Sequence, residues 1–266
     1  MDARRITGQT RLMLLMADPV AHVVGTELIT AHMRAHGHDF VCVPAQVGKD
    51  DLPSMIAALR VLKNCAGSGV TIPHKIAVAP LLDELTERAR VIGSVNYIRR
   101  NADGTLTGDN VDGSGFVLGA GQAGIELKGL RVLLLGAGGA GRSLAFALAE
   151  AGVGELAIAN RDGARAQALV EAVKAVFPAL AVTVGRPDAR GFDMVVNATS
   201  LGMHGKDGGD PLDFATLSPD MVVADIVMVP EKTRLLAAAE SAGCRLIFGR
   251  QMMEGQLALA REFLGL

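Results

Sequence analysis

The chain has 266 residues, long enough for one large domain or two modest ones with separate cores. Half of it is hydrophobic, only 3% is aromatic, and its formal charge is −2, so it offers neither base-stacking platforms nor a field that gathers phosphate backbones; nucleic acid is excluded as a partner. Three scattered cysteines (Cys42, Cys65, Cys244) form no disulfide framework and no paired metal-ligand spacing, and no stretch is long enough to span a membrane, which predicts a metal-free protein of the reducing cytoplasm.

The basic N-terminus leads into Leu12–Met16, an apolar run too short for a secretory signal and ended at once by Asp18-Pro19. It reads as a first buried strand, Arg11–Met16. A helix over Thr26–Ala35, a strand at Asp39–Val43, a helix over Leu52–Asn64 and a strand at Gly69–Ile72, stopped by Pro73, follow. Three polar clusters end apolar runs, where α/β folds place ligands: Val70–Lys75, Gly93–Asn96 and Gly108–Gly113. Within the first, Lys75 lies just past a strand-ending proline; a lysine on a rigid turn with a carboxylate in reach has the makings of a proton-transfer pair. Glycines gather at Asp112–Gly124, where one lobe is expected to give way to the next.

From Leu130 the pattern becomes regular. Strands are predicted at Arg131–Leu135, Glu155–Ala159, Ala181–Val184, Asp193–Asn197, Met221–Ile226 and Arg245–Phe248, with helices over Arg142–Glu150, Ala164–Val176 and Met252–Leu264. Alternation of this kind implies parallel pairing by right-handed crossovers. The predicted fold is therefore α/β with two domains: an N-terminal α/β substrate lobe (1–113 and 249–266) and a doubly wound parallel sheet of Rossmann type (114–248).

The first of these strands runs into Gly136-Ala137-Gly138-Gly139-Ala140-Gly141, the spacing G-x-G-x-x-G. Its glycines suit a tight turn, backbone approach to a diphosphate and close helix–strand packing, and the helix N-terminus adds unpaired N–H groups. The second strand ends at Asn160-Arg161-Asp162, beside the expected adenosine ribose. NAD enzymes usually place a carboxylate directly at that strand end. Asn160 stands there, and Arg161 and Arg165 suit a 2′-phosphate, whereas Asp162 favours a free hydroxyl. Two cations against one carboxylate lean towards NADP over NAD.

Taken in order, several segments resemble the shikimate dehydrogenase family along nearly the whole chain. Asp18–His22 is similar to its N-terminal substrate loop, Val70–Lys75 to V-T-x-P-x-K, Gly93–Asn96 to G-A-V-N and Asn110–Gly113 to N-T-D-G. Asn197–Met203 matches N-A-T-S-x-G-M, and Met252–Gln256 is similar to M-L-x-x-Q. The resemblance implies a reversible hydride exchange between NADP or NAD and a ring carbon bearing oxygen. It implies that Lys75 and Asp112 are the proton-transfer dyad and that Thr71, Asn96 and Gln256 bind substrate. It also implies that Thr199, Ser200, Leu201, Gly202 and Met203, with Ile226, Gly249 and Met252, line the cofactor. The implied partner is a small cyclic hydroxy or keto acid or polyol; a monomer or homodimer is expected.

Departures from the family pattern converge on one substrate group. The Ser-x-Ser that holds the shikimate carboxylate falls at Val23 and Gly25, and the tyrosine that assists it falls at Met228; Gly69 and Tyr97 replace an Asn and a Thr. Hydrogen bonds to charged groups are worth roughly 1.5–3 kcal/mol each, so losing three predicts much weaker shikimate binding. Either Tyr97, His22 or Thr26 supplies replacement donors, leaving shikimate or quinate as substrate, or the substrate is another cyclic polyol or enone. A methylenetetrahydrofolate-type dehydrogenase is disfavoured by the Asn197–Met203 string, and a non-catalytic dinucleotide sensor by the Lys75/Asp112 pair.

Overall fold

A computed structural model describes residues 5–21, 23–204 and 208–266; His22, one of the candidate replacement donors, lies outside the described residues. The chain forms two compact units. One holds the residues up to Val111 together with Leu257–Leu266; the other is Asp112–Gln256.

The first unit is a six-stranded mixed sheet. Strand β1 (Arg11–Ala17) lies parallel between β2 (Phe40–Gln46) and β3 (Cys65–Val70). Beyond β3 the sheet continues antiparallel through β5 (Tyr97–Arg100) and β6 (Leu106–Asp109), with the two-residue β4 (Glu84–Leu85) on the far edge. Helices α1 (Gly25–Ala35), α2 (Leu52–Val61) and α3 (Glu87–Ile92) accompany it. Met16, Leu52, Ile56, Leu59, Ile98 and Leu106 belong to its core.

Several sequence expectations are corrected here. The strand placed at Gly69–Ile72 is the earlier segment Cys65–Val70, and Thr71–Val78 is a turn region. The first segment contains small residues (Cys65, Ala66, Gly67, Ser68), all buried, so its apolar signal is weak although its environment is core. The helix from Leu52 stops at Val61 rather than Asn64, and the strand begun at Asp39 runs instead from Phe40 to Gln46. Strands β4, β5 and β6 and helix α3 have no counterpart among the elements expected from the sequence.

The second unit is a six-stranded all-parallel sheet in the order β12-β11-β10-β7-β8-β9. Its first strand, β7 (Arg131–Leu135), sits inside the sheet; the chain moves outward through β8 (Glu155–Ala159) and β9 (Ala181–Val184). It then returns to the other side of β7 with β10 (Met194–Asn197), β11 (Val222–Asp225) and β12 (Arg245–Phe248). Strand order reverses between β7 and β10, the switch point at which doubly wound sheets hold ligands. Leu133, Leu135, Val195, Val223, Leu235 and Leu236 belong to the core.

The helices of this unit are α4 (Asp112–Gln122), α5 (Gly139–Glu150), α6 (Gly163–Val176), α7 (Arg234–Ser241) and α8 (Gly249–Phe263), whose last turns extend into the first unit. The glycine cluster after Asp112 is thus a helix, and α5 begins inside the glycine motif rather than at Arg142. Among the described residues no helix is long and apolar enough to cross a membrane.

Candidate active site

The turn after β7 has the shape its glycines require. Gly136 adopts φ +110°, and a Cβ on Gly141 would lie 2.2 Å from the Gly136 carbonyl oxygen, so α5 can meet the strand this closely only with glycine there. A Cβ on Gly138 would meet nothing within 4 Å, so that backbone faces open space. Gly138 also caps α5 and brings no side chain to its first-turn N–H groups. An open glycine face before a helix N-terminus fits a dinucleotide diphosphate.

The adjoining strand end is built onto this turn. Asn160 Oδ1 accepts from the amide of Ala137 at 3.2 Å, while its Nδ2 donates to the Asp162 carbonyl at 3.0 Å. Asp162 is the N-cap of α6, accepting from the amides of Ala164 and Arg165, and its carboxylate pairs with Arg165 Nε at 3.3 Å. The local job of Asp162 is therefore helix capping, and Arg165 is already held by it, whereas Arg161 is exposed beside Asn160. Sequence reasoning missed Arg142, half-buried on the first turn of α5, whose guanidinium burial pushes down from its usual pKa. Its signal was a cation directly after the last motif glycine.

On the other side of the switch point, Asn197 at the end of β10 organises the loop that follows. Its Oδ1 accepts from the Thr199 amide at 3.1 Å and from Thr199 Oγ1 at 2.7 Å. Its Nδ2 donates to the Leu201 carbonyl at 3.2 Å. Ser200 and Leu201 are partly buried, and Gly202 turns the chain with φ +89° into Met203. A Cβ on Gly136 would lie 2.9 Å from the Ala198 carbonyl, so this loop packs directly on the glycine turn. Next along the sheet, Ile226 donates its amide to the Asn197 carbonyl, and Gly249 packs on the carbonyls of Ile226 and Val227. The predicted cofactor residues of this unit are thus brought to the carboxyl ends of adjoining strands; Met252 is buried one turn into α8 and Met228 is partly buried after β11.

In the first unit, the turn after β3 carries Thr71 and Lys75. Thr71 donates its amide to the Met16 carbonyl, and Val95 donates its amide to the Lys75 carbonyl at 2.7 Å. His74 is fully buried, with Nε2 2.7 Å from the Val47 carbonyl oxygen, and anchors the turn from beneath. Helix α3 is capped by Thr86 and ends at Gly93 in the left-handed region, which aims the chain into Ser94–Asn96. Asn96 is buried; its carbonyl accepts from Val70 N and its Oδ1 from Val111 N. Lys75 and Asn96 thus stand on neighbouring segments. Asp109 is a buried carboxylate paired with Arg88 and bonded by Thr86, a structural anchor for this region.

Val23 and Gly25 flank the N-cap of α1, Val24, which supplies no side-chain bond to that helix. Tyr97 is 3% exposed.

In the second unit, Asp112 starts α4 and Gln256 lies on α8; both are buried. A Cβ on Gly113 would sit 2.3 Å from the Ser143 carbonyl oxygen, and one on Gly115 would sit 2.3 Å from Gln256 Cγ. The glycines of α4 therefore admit α5 on one side and the Gln256 side chain on another.

Residues 15–98 match the family model of the shikimate dehydrogenase substrate binding domain, and residues 118–203 that of shikimate/quinate 5-dehydrogenase. A curated relative, the NADP(+) shikimate dehydrogenase of Geobacter metallireducens, is 40% identical over 265 residues, spanning 96% of this chain and 92% of its own. Among solved structures, the shikimate 5-dehydrogenase of Thermus thermophilus, in complex with NADP(H) and shikimate, superposes with a TM-score of 0.86 at 32% identity, covering 97% of this chain and 94% of that one. The 5-ketofructose reductase of a Gluconobacter strain, in its ligand-free form, superposes with a TM-score of 0.82 at 30% identity over 96% and 92% of the two chains.

Proposed function

Because the chain belongs to the shikimate dehydrogenase family, we propose that it interconverts 3-dehydroshikimate and shikimate with NADP(H). The observation that supports this reading is the glycine cradle of Gly136–Gly141 in one chain with Lys75, Asn96, Asp112 and Gln256, the residues to which the family resemblance gives the ring hydroxyls. When bound, the nicotinamide supplies or takes up the hydride. Arg161, with Arg142 and the glycine turn at Gly138, would hold its phosphates, and Asn160 in place of a carboxylate leaves room for the 2′-phosphate. Thr199–Met203, Ile226, Gly249 and Met252 line its nicotinamide side.

Lys75 gives the proton to the ketone oxygen on reduction and takes it back on oxidation. Asp112 orients the reacting centre and accepts from an adjacent hydroxyl; Thr71, Asn96 and Gln256 bind the remaining hydroxyls. A lysine suits this work because its ammonium is both a hydrogen-bond donor to the developing alkoxide and a proton source. We also place the protein in a reducing cytoplasm, since its three cysteines are all unpaired and buried.

A second reading concerns the substrate's acid group. Val23, Gly25 and Met228 carry no hydrogen-bonding side chain, and the reductase relative is named for a keto sugar, so a carboxylate-free cyclic keto-polyol is the competing substrate. Following NADP reduction with shikimate, quinate and neutral cyclic polyols at equal concentration decides between them. The main reading expects shikimate to have the highest kcat/KM. A neutral polyol exceeding it by about tenfold or more selects the second, and no turnover of any of them refutes both.

A further inference from the structure

Asp225 takes no part in the roles assigned above, yet it lies beneath the loop of Thr199–Met203. It ends β11, is 1% exposed, and is the register partner of Asn197 across β10 and β11. Three donors converge on its carboxylate: Asn197 Nδ2 at 3.0 Å and the Val227 amide at 3.1 Å on Oδ1, and Thr233 Oγ1 at 2.7 Å on Oδ2. Thr233 is itself the N-cap of α7 and 1% exposed.

Only an acceptor satisfies this ring of donors, and an ionised carboxylate is acceptor-only. The consequence falls on Asn197. With Asp225 taking one face of its amide, the Asn197 NH₂ must point there and its Oδ1 must point to Thr199, the orientation that lets it hold both Thr199 and Leu201. Thr199 Oγ1 in turn accepts from the Leu201 amide at 3.1 Å. Without the carboxylate the Asn197 NH₂ loses one of its two acceptors, and only the Thr199 donors and the Leu201 carbonyl still hold the amide in this orientation. Because Ala198 packs on Gly136, a loop that relaxes also disturbs the glycine turn.

We propose that Asp225 is a positioning residue for the cofactor: through Asn197 it fixes the backbone of Thr199–Leu201 and thereby sets cofactor affinity. This rests on reading Thr199–Met203 as the nicotinamide side. The test measures the NADPH dissociation constant from the fluorescence of the reduced cofactor, in a chain that has no Trp, well below the unfolding temperature. The variants are Asp225→Asn, Thr233→Val and Met203→Ala, with thermal midpoint and the KM for shikimate measured alongside.

Asp225→Asn raises the Kd for NADPH about tenfold or more, Thr233→Val about threefold, and the KM for shikimate stays within about twofold. A purely structural Asp225 lowers the thermal midpoint and leaves the NADPH Kd of the still-folded variant within about twofold, which overturns the proposal; should Asp225→Asn not fold, Thr233→Val decides in its place by the same two measurements. If Met203→Ala weakens NADPH and Asp225→Asn does not, the positioning role alone fails. If Met203→Ala changes neither Kd nor kcat, the reading of the loop fails and the proposal with it.

Discussion

The amide of Gly113 donates to Ser143 Oγ at 2.8 Å, fastening the residue after Asp112 to the helix that follows the dinucleotide turn. A side chain at 113 would run into the Ser143 carbonyl at 2.3 Å, a backbone atom that cannot swing aside. Gly113→Ala is therefore expected to shift the first turn of α4 and Asp112 with it. Overpacking of this kind costs about 1–3 kcal/mol, and kcat/KM should fall about tenfold or more. Ser143→Ala leaves the buried Gly113 amide without this acceptor and should cost about 1–3 kcal/mol. Thermal unfolding and steady-state kinetics of the two variants check both figures.

Cofactor choice should follow Arg161 more than Arg165. Arg165 is 72% exposed at its side chain and pairs with the Asp162 cap, whereas Arg161 stands next to Asn160, which bonds the glycine turn. Arg161→Ala is expected to raise the KM for NADP about tenfold while leaving that for NAD within about twofold, and Arg165→Ala to do less. Measured KM values for both cofactors in the two variants decide it.

Asp225 also gives stability a pH dependence of definite sign. Burial pushes its carboxyl up to about 6, against the three hydrogen bonds that pull it down, from a usual value of 3.8. A raised folded-state value means the folded chain keeps its proton where the unfolded chain has lost it. The stabilisation is thus fully present below 3.8 and is lost as pH rises through about 6. Among the described residues, the titratable groups bordering the adjoining cavity besides Asp225 are His204, Asp210, Lys232 and Arg234; Lys232 pairs with Glu240 and Arg234 with Asp210. Denaturant unfolding across this range should show the parent losing stability relative to Asp225→Asn as pH rises; parallel curves contradict it.

The turn bearing Lys75 hangs on a buried histidine. His74→Leu leaves the Val47 carbonyl without its partner, a loss of about 1–3 kcal/mol, and frees the turn of Thr71–Val78. We expect kcat to fall with little change in NADPH affinity, measured by turnover and cofactor titration.

The parallel sheet was the legible part of the fold. Strands such as Arg131–Leu135 and Glu155–Ala159 are buried on both faces and read as continuous apolar runs. The antiparallel strands were hidden because Tyr97–Arg100 and Leu106–Asp109 carry Arg99, Arg100, Thr107 and Asp109. Helix α4 was hidden by glycines that disfavour a helix by about 1 kcal/mol each; here they are the contact surface for Ser143 and Gln256. At the site, the glycine turn and the motif segments were visible as strings. The roles of Asn160, Asn197 and Asp225 were not, because they arise from pairing between strand ends that only the folded sheet brings side by side.

The central claim is that Lys75 carries the proton of the hydride-transfer reaction, and Lys75→Ala tests it most directly. Turnover of 3-dehydroshikimate with NADPH should be lost while NADPH still binds with parental affinity. Turnover within about twofold of the parent would contradict the account.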